Sequence, residues 1–290
     1  MEQIVQMQDD IHKVKKLMDN AFEKLGKQSK QMASKAMDGE YISLAGLRLD
    51  GRREDETRRV RARIGIFHRA DGSAYIEQGN TKVLVVVYGP RQVDNTTLKN
   101  IKGAASLVKK AVVHCECTQA PFATSDRKMS RNASDRKNVE MSSAIKQIFE
   151  SCLLTNLYPQ SQISIYPQVL QSDGGELAAS INATSLALMD AGIALNDFVV
   201  ASTAGFVQQT TLCDLNSFEQ AARGPQITVA INPRTRHVNY LKMEAKLALE
   251  VFEQVMEMAI NGCDRIGSTL QQVVRTTTGD KVQKREIRIL

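Results

Sequence analysis

The stretch Q-S-D-G-G-E-L-A-A-S-I-N-A-T-S-L-A-L-M-D, Gln171 to Asp190, decides the fold. A β-rich run ends just before it, with Ile163, Ile165, Tyr166, Val169 and Leu170, and the small-residue run inside it predicts a long helix. Between them Asp173-Gly174-Gly175 has the chemistry of a strand-to-helix turn. Asp173 can cap free N–H groups, and the glycines allow φ > 0 and close approach of another group. A helix N-terminus with bare glycine backbone is also a ready anion site, because its N–H groups and dipole favour negative charge. Yet Glu176 and Leu177 follow, a carboxylate and a hydrocarbon where an anion would want a hydroxyl and a cation. A tight turn and a ligand site both stay open, and the contradiction is the main functional clue.

Upstream, Ile64–Phe67 and Ala74–Gln78 alternate around Arg69-Ala70-Asp71-Gly72, and the Asp-Gly step predicts a hairpin. The next run, Val83–Val87, is continuously apolar, which predicts a strand buried on both faces. Before the hairpin, Leu47 to Arg63 holds seven arginines mixed with four acids, either a solvated strand edge or a phosphate-facing patch. Strand character resumes at Lys110–Cys117, and a basic loop without aromatics spans Thr124 to Arg136. Val139, Met141, Ile145, Ile148, Phe149 and Leu153 then mark the apolar side of a helix. Downstream, Asp197–Val207 pairs with Gln208–Asp214, and Gln226–Asn232 forms a hairpin with Val238–Met243. A last helix runs from about Glu244 to Val274. This order is α+β, mixed sheets packed on helices, with an internal echo that hints at a duplicated β-α unit.

The ends differ from the middle. Residues 1–40 carry a heptad stripe, Ile4 to Leu25 in steps of three and four, then a polar linker. That amphipathic helix suits docking on another protein better than its own domain or a membrane, because its polar face mixes Lys with Asp and Glu. The main domain covers 41–278, and 279–290 is a polar tail without a convincing pattern. At 290 residues and 42% hydrophobic, the chain can bury one or two substantial cores. Its five scattered cysteines suit reduced thiols rather than a disulfide framework, and Cys115-x-Cys117 beside His114 matches no common zinc spacing, so neither metal nor cofactor is expected. No run has the length of a membrane span, and no signal-peptide pattern opens the chain. With 38 Lys+Arg against 32 Asp+Glu, the net charge of +6 permits a polyanionic partner without demanding one.

Leu49-Asp50-Gly51-Arg52-Arg53, Asp71 to Val83, Leu170–Gly175, Ala187–Gly192 and Cys213-Asp214-Leu215 together resemble the ribonuclease PH family. The resemblance runs in order from about Tyr41 to Thr278, and Glu219 to Gln226 is similar to the eukaryotic exosome ring subunits within that family. It implies a twofold-repeated β-α fold and, in active members, phosphorolysis of RNA from its 3′ end. In those members the turn after the glycines continues with a hydroxyl residue and an arginine that clasp phosphate; here Glu176 and Leu177 stand there. Leucine supplies no charge-assisted bond, and a carboxylate roughly 4 Å from an anion adds repulsion of about 4 kcal/mol per unit charge. Asp214 matches the first catalytic carboxylate, but the second position is Gln220, neither a good metal ligand nor a proton donor.

Catalysis is therefore expected to be lost, with no catalytic residue and no metal. The basic pairs Arg127-Lys128 and Arg136-Lys137 match positions that contact the RNA backbone in active relatives. The resemblance also implies partners: other ribonuclease PH-like subunits in a hetero-oligomeric ring, RNA-binding cap proteins, a separate catalytic ribonuclease, and RNA, without a membrane. It implies the nucleus, nucleolus included, and the cytoplasm. Two other readings stay open: an active phosphorolytic exoribonuclease, and an α/β enzyme that uses the Asp173-Gly174-Gly175 turn for a nucleotide.

Overall fold

The structure is a computed structural model that describes residues 41–43, 46–92, 110–124 and 135–289, with side chains as far as Gln283. The heptad stripe of residues 1–40 and the pair Arg127-Lys128 lie outside the described residues. The chain divides into two units, Met1–Glu54 and Asp55–Leu290. In the first, a β-bridge joins Ile42 to Arg48, and Arg52 Nε bonds Asp50 Oδ2 at 2.6 Å.

The second unit contains two sheets. The first is built from β1 (Val60–Ile64), β2 (Gly72–Gln78), β3 (Thr81–Gln92), β4 (Val112–Cys115), β5 (Thr118–Gln119) and β6 (Ser161–Gln171). Its order is β1-β2-β3-β6-β4, with β5 also on β6, and only β4 and β5 run parallel to their neighbour. The second sheet, order β10-β9-β7-β8, is antiparallel throughout and uses β7 (Val200–Val207), β8 (Thr210–Cys213), β9 (Gln226–Ile231) and β10 (Val238–Met243). Four α-helices accompany them among the described residues: α1 (Arg136–Cys152), α2 (Glu176–Asp190), α3 (Ser217–Ala221) and α4 (Leu249–Ile289). None is long and apolar enough to cross a membrane.

The small-residue run explains the architecture. Helix α2 packs on β2 and β3 of one sheet and β7 of the other, and every residue from Ala178 to Leu188 is buried. A helix buried all round shows no apolar stripe, and alanine and serine let both sheets come close. Its polar groups are satisfied in place. Asn182 exchanges two hydrogen bonds with the backbone of Ala201, at 2.7 and 2.9 Å, and Ser185 Oγ donates to Val199 O at 2.6 Å. Helix α4 covers the second sheet with Val255, Ala259, Cys263, Ile266 and Leu270, which closes one continuous core.

Five expectations need correction. The strand expected at Ile64–Phe67 is Val60–Ile64, and Ile66 and Phe67 lie exposed in the loop that follows it. Strand β3 is not buried on both faces: Val83, Val85 and Val87 lie under α2, while Leu84, Val86 and Tyr88 on the other face stay half-exposed. Val139 belongs to the outer side of α1, at 52% exposure, although Met141, Ile145, Ile148 and Phe149 are inside. The last helix does not stop near Val274 but continues to Ile289; past its apolar stripe, Lys281 pairs with Asp190 at 2.5 Å. Finally, Asp173 does not cap α2; the backbone N–H it meets is that of Ser217, the first residue of α3, at 3.4 Å. Its carboxylate accepts from Asn80 Nδ2 at 3.1 Å and from Ser217 Oγ at 2.6 Å, and the N-cap of α2 is Gly175.

Candidate functional site

The turn before α2 is organised by a side chain from far away. Arg58, just ahead of β1, enters beneath the turn and is almost completely buried. Its Nη1 donates to Asp173 O at 2.7 Å and its Nη2 to Gly174 O at 3.1 Å. The same guanidinium meets Asp214, whose Oδ1 lies 2.7 Å from Nη2 and whose Oδ2 accepts from Nε at 3.0 Å and from the Arg58 backbone at 2.8 Å. Gln78 Nε2 adds a bond to Oδ1 at 2.9 Å. Burial, the largest single influence, pulls the Arg58 pKa down, but Asp214 together with the charges of Asp173 and Glu219 leaves the guanidinium held above its usual value. The glycines now have a physical reason. Both have positive φ; a Cβ on Gly174 would lie 2.7 Å from Leu215 O, and one on Gly175 3.0 Å from Arg58 Nη2. The group that approaches so closely is the chain itself.

Beside this network lies a cleft of about 180 Å³, lined by the start of α2, α1, α3 and the second sheet. It brings together Glu176, Leu177, Gln220 and Lys137. Glu176 turns into it: Lys137 Nζ lies 2.7 Å from Oε2, and Ser172 Oγ donates to Oε1. The cleft therefore holds an anion of its own at the positive end of α2. Leu177 packs against the core instead of offering a donor. Across the cleft Lys242 bonds Glu140 at 2.8 Å and Glu244 at 3.1 Å. The Lys242 hydrogen bond is the chief reason that the Glu140 pKa is lowered. Deep in the same wall, Thr203 Oγ1 has no hydrogen-bond partner among the described residues.

The acids divide as their local geometry requires. Asp214 belongs to the buried Arg58 network and stands at the end of β8 with φ of 54°. Glu219 is drawn away from the cleft by a capping box on α3: its Oε2 accepts from Asn216 N at 2.9 Å, and Asn216 Oδ1 accepts from Glu219 N at 2.9 Å. Gln220, the next residue, lines the cleft. Arg136 opens α1, next to Lys137 and exposed. Burial pushes the thiols of Cys115 and Cys117 up to about 12, the direction of protonated, packed side chains rather than thiolate ligands. No cluster of three or more His, Cys, Asp or Glu side chains that could hold a metal occurs among the described residues. The sheet is also wrong for the nucleotide-binding α/β reading, which needs a parallel doubly wound order. Arg58, with Gln78 and Thr81 beneath the turn, was invisible within its arginine-rich run.

Comparison with known proteins agrees with this architecture. Residues 56–194 match the 3′ exoribonuclease family, domain 1 (RNase PH), and residues 197–262 match domain 2 of the same family. The chain is 47% identical over 236 residues to human exosome complex component RRP41, covering 81% of this chain and 94% of that protein. It is 46% identical over 239 residues to the Arabidopsis thaliana homologue, covering 82% and 96%. An archaeal component, Rrp41 of Thermococcus onnurineus, is 34% identical over 235 residues, covering 81% and 91%. Among solved structures, rice Rrp46 superposes with a TM-score of 0.66 at 24% identity, over 77% of this chain and 98% of that one. A chain of the Archaeoglobus fulgidus exosome with RNA bound to the active site gives 0.67 at 19% identity, over 83% and 97%. The two sheets around a small-residue helix, matched over both domains, are those of the 3′ exoribonuclease family, and the chain belongs to it.

Proposed function

We propose that the chain is a non-catalytic, RNA-binding ring subunit of an exosome, supporting 3′-to-5′ RNA processing by lining a channel shared with other ribonuclease PH-like subunits. The observation that carries this reading is the Glu176 carboxylate in the cleft, paired with Lys137 and Ser172 where phosphate would sit in an active relative. An incoming phosphate must displace a carboxylate already paired with the available lysine, and Leu177 offers nothing in exchange. Asp214 supports the same reading, since its bonds to Arg58 and Gln78 serve the fold. RNA-binding cap proteins and a separate ribonuclease complete the proposed assembly. Its proposed location is the nucleus, nucleolus included, and the cytoplasm.

The test is direct. The purified chain, alone and with its ring neighbour, is given single-stranded RNA, inorganic phosphate and Mg²⁺, and nucleoside diphosphates are measured. None is expected. Phosphate-dependent release of nucleoside diphosphates would establish the active phosphorolytic enzyme instead. A companion variant, Glu176→Thr with Leu177→Arg, should acquire a phosphate-dependent rise in melting temperature that the parent lacks, because the carboxylate is replaced by donors.

A further inference from the structure

We infer that the outer face of the first sheet is a stacking platform for unpaired RNA bases, centred on Tyr88 and Tyr166. The inference rests on the RNA-binding reading above but concerns a different surface from the cleft. Strand alternation puts Leu84, Val86 and Tyr88 of β3 and Ser164, Tyr166 and Gln168 of β6 on the face turned away from α2. Tyr88 and Tyr166 meet edge to face with centroids 6.0 Å apart, and His114 of β4 meets Tyr166 in the same way at 6.3 Å. The Arg91 guanidinium lies 4.8 Å above the Tyr88 ring. Two adjoining hollows of about 390 and 420 Å³ share Tyr88 and Tyr166 as walls, and sites of roughly 300–1,000 Å³ suit small planar groups.

The chemistry favours bases over phosphates. Arg91 shares its charge with Asp71 at 3.1 Å, and Glu116 lines the second hollow, so the described residues here carry no excess of positive charge to clasp a backbone. What the face does offer is three rings, a planar guanidinium and several amides. Tyr166 is 37% exposed although its neighbours on the strand, Ile165 and Pro167, are buried. Gln162 lines the first hollow, is 8% exposed, and its Oε1 has no hydrogen-bond partner among the described residues. Aromatic rings on an open sheet, flanked by amides that can meet base edges, are how single strands are held without a strong sequence code.

The experiment measures binding of a fluorescent 12-nucleotide oligouridylate to the full chain by anisotropy. Tyr88→Leu with Tyr166→Leu should weaken binding about five- to 150-fold, the range for loss of one stacked base, and should leave the salt slope unchanged because no phosphate contact is lost. Tyr88→Phe with Tyr166→Phe should keep the affinity within about twofold, since the rings remain. Photo-crosslinking of the unaltered chain to 4-thiouridine RNA, mapped by mass spectrometry, should label Tyr88, Tyr166 or His114, and this arm stands even if the leucine variant misfolds. Unchanged affinity in a folded leucine variant, or crosslinks only on Arg136 and its neighbours, would overturn the platform while leaving the RNA-binding reading intact. Failure of the unaltered chain to bind the oligonucleotide would overturn both. Release of a neighbouring subunit by the leucine variant at unchanged RNA affinity would make the face a protein interface and overturn the platform alone.

Discussion

Asp214 is the residue on which the catalytic question turns, because a retained acid is ordinarily the best sign of retained chemistry. Its surroundings tie it to the fold, as the proposed function requires: both oxygens bond a buried guanidinium, and its side chain has no exposure at all. Removing one member of a buried ion pair strands the other, at a cost of about 3–5 kcal/mol. Asp214→Ala and Arg58→Ala should therefore each lower the melting temperature by roughly 6–20 °C in a unit of this size. Arg58→Met with Asp214→Leu should cost clearly less than the sum of the single changes, because neither charge is left alone. Thermal denaturation reads all three, and a folded Asp214→Ala chain with an unshifted melting temperature would contradict the structural role. The sequence made half of this site legible. Glu176, Leu177 and Gln220 stand out as wrong residue types at a recognisable turn and acidic motif, and they do converge on one cleft. Arg58 could not be found, since its partner lies 156 positions away and six similar arginines surround it.

Among the elements, periodicity succeeded wherever one partner did the burying. The second hairpin lies where it was expected and α1 buries Met141, Ile145, Ile148 and Phe149, but the leading strand of the first hairpin is Val60–Ile64 and not Ile64–Phe67. It failed where exposure was set by what does not cover a surface. The half-burial of β3 cannot be read from Val83-Leu84-Val85-Val86-Val87, because all five side chains are apolar while only one face is covered by α2. The extension of α4 beyond Val274 was hidden for the opposite reason, since a helix that has left the core needs no apolar stripe. Charge ties the elements at their margins. Glu140 of α1 and Glu244 grip Lys242 of β10 between them, and the Lys242 hydrogen bond lowers the Glu140 pKa. A lowered carboxylate pKa stabilises the fold above its unfolded value of about 4.3, and that contribution is lost as pH falls through the folded value. Lys242→Met should thus lower the melting temperature slightly at pH 7, by less than about 1 kcal/mol in stability because the groups are partly exposed. The difference from the parent should shrink toward pH 3 and in 1 M salt, and a difference that grew on acidification would reverse the assignment.

The whole molecule carries a net charge of +6, too little to hold RNA by bulk attraction, so the placement of individual cations matters more than their number. Arg136 and Lys137 are neighbours at the start of α1, yet they are not equivalent. Lys137 is half-exposed but lies 2.7 Å from the Glu176 carboxylate, and the pair is nearly neutral to a phosphate at a distance. Arg136 feels the carboxylate of Glu140 through space, a weaker influence than a direct ion pair. Each phosphate contact on a single strand adds roughly 0.7 to the magnitude of the slope of log affinity against log salt. Arg136→Ala should remove about that amount, uniformly across RNA sequences, whereas Lys137→Ala should remove much less. Glu176→Gln frees Lys137 from its counter-charge, and it should steepen the slope by up to roughly 0.7 as the lysine turns to the backbone. Equilibrium binding of one RNA at four or five salt concentrations separates these variants. Equal effects of Arg136→Ala and Lys137→Ala, with no response to Glu176→Gln, would mean that the carboxylate does not govern the lysine and that the cleft is open to anions after all.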